Sequence, residues 1–135
     1  MKFKLAPGII SLLILSTSCN RSLDSNDATN IVTNGTWRVT LFTDSGNDET
    51  SDFSGYSFSF NSNGVVTATW SGISKNGTWS RSSNKFNIDL GAKTDTNKPL
   101  GELTDDWQII SLSDSEIKLT DDNPLSAEFL TFTKN

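Results

Sequence analysis

Tyr56-Ser57-Phe58-Ser59-Phe60-Asn61-Ser62-Asn63-Gly64-Val65-Val66-Thr67-Ala68-Thr69-Trp70 is the stretch on which the reading of this chain turns. Aromatic residues alternate with serine from Tyr56 to Phe60, the period of a strand with one face buried and one wet. Asn63-Gly64 then supplies a residue pair that tolerates the positive φ angles of a tight hairpin, and Val65 to Trp70 returns as a β-branched partner strand. The same grammar extends outward in both directions. Upstream, Trp37 to Thr43 places Trp37, Val39 and Leu41 on one face. Downstream, Thr78 to Arg81, Phe86 to Leu90, Trp107 to Leu112, Ile117 to Thr120 and Phe129 to Thr133 follow, with a second turn expected at Lys75-Asn76-Gly77. Apolar residues at helical spacing are not evident beyond the N-terminal leader. Eight short strands linked mostly by tight turns predict an all-β domain over residues 34–135. Closure removes exposed sheet edges, so the expected architecture is a small eight-stranded antiparallel up-and-down barrel, with a small β-sandwich as the alternative.

Before this domain the chain changes character. Lys2 and Lys4 precede an apolar run from Leu5 to Leu15, which ends in Ser16-Thr17-Ser18-Cys19. A basic start, a short apolar core and a small-residue site in this order form a secretory signal, residues 1–18. The only cysteine stands where a lipoprotein signal peptidase would cut, and Leu15 to Cys19 resembles a bacterial lipobox with Ser16 in place of an aliphatic residue. The expectation is an exported lipoprotein, acylated with diacylglycerol and palmitate-type chains at Cys19. Two or more chains suffice for stable anchoring. Residues 19–33, rich in Ser, Asn and Asp, read as a flexible tether. Asn20 lacks the aspartate that retains lipoproteins at the inner membrane of enteric bacteria, so the expected address is the outer membrane.

Charge and composition exclude several classes. Loss of Lys2 and Lys4 with the leader takes the formal balance from −5 to −7, and no Lys/Arg cluster exists to displace counterions from a phosphate backbone. No nucleic-acid partner is expected. The chain contains no histidine, which removes triads, Cys-His pairs and imidazole metal sites. Neither an enzyme, a cofactor nor a metal is expected. The acidic loop Asp44, Asp48, Glu49 and Asp52 does not follow a known calcium-loop spacing, and Asp105-Asp106 and Asp121-Asp122 read as turn residues.

At Asn34-Gly35-Thr36-Trp37 the chain resembles the lipocalins, whose first strand opens with Gly-x-Trp; the same four letters recur at Asn76-Gly77-Thr78-Trp79. Short lipocalin-like bacterial lipoproteins also carry a hairpin like Phe58 to Gly64. The resemblance implies structural roles for Gly35, Trp37, Gly77 and Trp79, with the indoles covering a barrel end. This chain departs from the family's pattern in its short length, its lack of a disulfide, and Lys134 where an arginine would cover the first tryptophan. The expected function is binding of a small apolar or amphipathic ligand, with Tyr56, Trp70 and Trp107 as pocket residues because they flank loops. The alternative is an envelope protein-interaction module with a filled barrel.

Overall fold

A computed structural model describes residues 23–135, so the leader and Cys19 lie outside the described residues. Nine strands follow one helix: α1 (Ser25–Thr33), β1 (Trp37–Asp44), β2 (Asn47–Asp48), β3 (Ser57–Phe60), β4 (Val65–Trp70), β5 (Ile73–Ser82), β6 (Lys85–Asp89), β7 (Asp105–Leu112), β8 (Glu116–Asp121) and β9 (Phe129–Lys134). From β3 onward each strand pairs antiparallel with the next, and β9 returns to β1 from Trp37↔Lys134 to Thr43↔Phe129. The result is a closed eight-stranded antiparallel barrel with β2 as an extra hairpin strand on β1. All eight expected strands are present, and closure sets the sandwich aside.

The barrel's thin seam lies between β1 and β3, which share only the pair Trp37↔Phe58. A 3-10 turn at Thr50–Phe53 covers the gap: Thr50 Oγ1 accepts the Phe42 N–H at 2.9 Å, and the Glu49 N–H donates to the Phe42 carbonyl at 2.9 Å. Phe53 then tucks against Phe42, ring centroids 5.2 Å apart. These contacts satisfy backbone groups that pairing would otherwise take.

Three local expectations are corrected. A bulge between Val39 and Leu41 shifts the alternation by one residue, so Phe42 points inward and Leu41 is exposed. Lys75-Asn76-Gly77 is the interior of β5, not a turn. The hairpin lies at Ser71-Gly72, which have φ of 49° and 79°. Asn76-Gly77 has turn chemistry, but its glycine answers a different need: a Cβ on Gly77 would lie 2.1 Å from the Asp89 carbonyl oxygen and 2.9 Å from Leu90 Cδ2. Finally, residues 25–33 of the expected flexible tether form α1. Only Ala28 and Val32 are buried, with Ile31 beside them, a stripe too short to stand out in sequence. Nine residues are marginal as an isolated helix, so barrel contacts must supply most of its stability. The Val32 carbonyl accepts the Trp37 Nε1–H at 2.9 Å and the Ser25 carbonyl accepts from Arg81 at 2.9 Å.

The helix lies across the end where β1 begins and β5 finishes. Above it the interior is filled by aromatic rings. Phe60 meets Trp79, Phe86 and Phe132 edge-on, each with ring centroids 5.5 Å apart, and Phe132 also meets Phe58 at 5.3 Å. Edge-on contact places a positive ring rim against a negative ring face, adding to the gain from burial. Because no space exists for a side chain at Gly77, Gly77→Ala is expected to destabilise the domain by about 1–3 kcal/mol, read as a lowered midpoint in urea unfolding followed by circular dichroism.

Candidate functional site

With the lower barrel filled, space remains at the opposite end, where the β4–β5 hairpin faces the long connection between β6 and β7. Tyr56, Ala68, Trp70, Ile73, Lys75 and Leu100 line a cup of about 280 Å³. Strand register explains its composition. Val66, Ala68 and Trp70 face inward on β4, and their partners Gly77, Lys75 and Ile73 share that face of β5. The lower members of these rows close onto the core, and the upper members project past it. Tyr56 stacks on Trp70 at 6.2 Å between centroids, 29° from parallel, and on Phe58 at 6.1 Å. Gly55 permits this approach, since its Cβ position lies 3.3 Å from the Trp70 indole.

The cup is built before any ligand arrives. Asn97 Nδ2 donates to the carbonyls of Leu90 at 3.2 Å and Ala92 at 2.9 Å, while its Oδ1 accepts from Lys75 Nζ. Thr104 Oγ1 donates to the Gly91 carbonyl at 2.7 Å and accepts the Leu90 N–H at 2.9 Å. These bonds staple the loop that carries Leu100, which is buried.

Of the three sequence-nominated pocket residues, Tyr56 and Trp70 meet in the cup and Trp107 does not. Trp107 faces inward on β7, fully buried, with its Nε1–H bonded to the Leu103 carbonyl at 3.0 Å. Flanking a loop is a poor guide when the inward register already assigns a residue to the core. Trp37 and Trp79 are also buried; Trp79 donates to the Asn61 carbonyl at 2.8 Å and stacks on Phe86. Gly35, with φ of 82°, turns the chain into β1, and Lys134 Nζ stands 4.8 Å from the Trp37 ring centroid. Lysine thus supplies a cation over the first tryptophan, where lipocalins use arginine. Ile73, Lys75 and Leu100 were not nominated from sequence. Correct placement of the Ser71-Gly72 turn would have drawn out the first two. A larger and more open furrow of about 470 Å³ runs along β5 to β7, past Ser80, Asn87 and Asp106.

Sequence reasoning also missed how loops gather carboxylates at this end. Asp44, Glu49 and Glu102 approach one another within 4.8 Å, as do Asp105, Asp121 and Glu128. Asp48 instead accepts from the Thr50 hydroxyl and N–H, which hold its carboxyl below the usual range. Lys93 bonds Asp105 at 2.7 Å and reaches Glu128 at 3.9 Å. Burial pushes Glu128 up to about 7; Lys93 opposes the shift, whereas Asp44, Asp121 and Asp105 add to it.

The comparisons with known proteins agree with this architecture. The family model for the lipocalin-like domain matches residues 33–119. The chain belongs to the lipocalin-like domain family. A lipocalin-like barrel of this size also resembles a crystal structure of a DUF4847 family protein from Bacteroides vulgatus, at 16% identity and TM-score 0.56, covering 78% of this chain and 96% of that one. An NMR structure of a protein from Burkholderia xenovorans matches at 16% identity and TM-score 0.50, covering 80% and 86%. No curated protein matches the chain. At these identities the structural likeness concerns the fold.

The Glu128 environment gives this lipocalin-like domain a definite pH signature. A carboxyl whose folded pKa is raised favours the folded state while protonated, and that contribution is lost as pH rises from about 4.5 through about 7. Glu128→Gln is therefore expected to be more stable than the parent at pH 8 by about 1–2 kcal/mol, allowing for solvent screening. The difference should shrink toward zero near pH 4 to 5, as measured by urea unfolding of both proteins across that range.

Proposed function

We propose that the chain is a cell-envelope lipoprotein, cleaved before Cys19 and acylated there, whose lipocalin-like domain binds a small amphipathic molecule in the cup at the open end of its barrel. The observation that carries this reading is the stacked pair Tyr56–Trp70 over an apolar floor of Ala68 and Leu100. Trp70 is 47% exposed and Ile73 69% exposed, although each is an inward-facing strand residue. Large apolar groups left uncovered around a concavity favour association with something that covers them. A volume of about 280 Å³ suits a small ligand or the end of a longer one. The reading is one of binding rather than catalysis, and it names no cofactor. The aromatic filling of the lower barrel favours a second reading, in which Trp70 and Ile73 meet a protein partner of the envelope and no ligand enters.

The two halves of the proposal are tested separately. Growth of the host with an alkyne-tagged palmitate should label the parent, and Cys19→Ser should lose the label. The same variant, purified from its host, should carry a co-purifying small molecule in native mass spectrometry, and removing that molecule should shift the tryptophan emission. Trp37, Trp79 and Trp107 are buried, so the shift should disappear in Trp70→Phe. A bare mass with unresponsive emission would favour the protein-partner reading.

A further inference from the structure

We infer that the cup selects amphiphiles with an anionic head, and that Lys75 is the residue that makes the selection. The inference rests on the binding reading above and adds the class of ligand. Lys75 pairs with Ala68, a fully inward residue, and stands in the β5 row directly above Gly77 and Trp79. A lysine in that row places its ammonium at the rim of an apolar cup. Its one hydrogen-bond partner among the described residues is Asn97 Oδ1, a neutral acceptor. The ion pairs at this end of the barrel belong to Lys93 and Lys98, which are matched with Asp105, Glu128, Asp95 and Glu102. Lys75 thus carries a positive charge with no carboxylate within ion-pair distance.

Trp70 Nε1–H has no acceptor among the described residues, whereas the other three indoles donate to Val32, Asn61 and Leu103 carbonyls. The Tyr56 hydroxyl is likewise without a partner among the described residues and can donate. The Lys75 ammonium at the rim of a cup lined by Ala68, Ile73 and Leu100 calls for a ligand that supplies an acceptor at one end and hydrocarbon at the other. A carboxylate on a short alkyl chain meets both demands, and charge-assisted hydrogen bonds make the anionic head better than a neutral one. The surrounding carboxylates disfavour anions at long range. Selection must therefore come from direct contact with Lys75, the cation that lines the cup.

The test uses the mature chain carrying Cys19→Ser, whose barrel and helix close entirely within residues 23–135. Decanoate, decyl glucoside and decyltrimethylammonium are titrated as monomers at low salt while tryptophan emission is followed. Decanoate is expected to bind about fivefold to tenfold more tightly than the glucoside. Lys75→Gln should abolish that preference, Lys75→Arg should keep it, and Lys118→Gln, which removes an exposed charge elsewhere, should leave it unchanged. Equal binding of all three probes would overturn the anion selection and leave the cup reading intact. A preference for the ammonium probe would overturn it in favour of the carboxylates. Binding only to anionic phospholipid vesicles and to no monomer would overturn it in favour of membrane contact. Binding of no probe in any form would remove the cup reading itself.

Discussion

The constraint on which the rest of the molecule depends is the bore of an eight-stranded barrel, wide enough for side chains and little more. Here the bore is taken up around Phe60, whose ring touches Trp79, Phe86 and Phe132 at once, with Phe58 packed on Phe132. Once these rings occupy the interior, a ligand can meet the barrel only above them. The inward rows of β4 and β5 outrun the core by about one residue pair on that side. That overhang creates the cup, because Trp70, Ile73 and Lys75 occupy interior positions with no opposing interior left to fill.

A filled barrel must also dispose of the polar ends of its large aromatics. Three indole N–H groups lie in the interior or at its floor, and each finds a backbone carbonyl: Val32 at the end of α1, Asn61 in the β3–β4 turn, and Leu103 before β7. An unpaired buried N–H would cost more than the net gain from an ordinary hydrogen bond, so these carbonyls fix where each connection runs. The α1 helix owes its place to this requirement as much as to Ala28 and Val32. Trp70 is the exception among the four tryptophans, and it is the one at the cup.

How much of this was legible in sequence follows from what each signal encodes. Alternation such as Tyr56-Ser57-Phe58-Ser59-Phe60 reports a half-buried strand through local geometry alone, and all eight barrel strands were readable. Gly64 was readable as a turn for the same reason. Gly77 was not, because its need for glycine comes from Asp89 on a neighbouring strand, and Asn76-Gly77 looks the same in either setting. The α1 stripe was too short to register. Tyr56 and Trp70 were accessible as site residues because an aromatic beside a turn is a local pattern. Lys75 was hidden, since its inward direction depends on the β4–β5 register, which the misplaced turn obscured. The carboxylate trios bring together residues as distant as Asp44 and Glu102, a proximity that only the closed barrel produces.

The polarity of the barrel has a consequence for how a lipidated chain would present it. The helix begins at Ser25 beside Arg81, at the end that Trp37 and α1 close. Five residues separate Cys19 from Ser25, and a fully extended chain of that length spans roughly 20 Å. β1 alone has eight residues, and at about 3.3 Å per residue the barrel wall is at least as long as that span. A domain anchored through Cys19 would hold its closed end toward the bilayer and its cup away from it. With such an anchor, the exposed faces of Trp70 and Ile73 would be turned away from the bilayer, where an apolar surface meets free amphiphiles before it meets lipid.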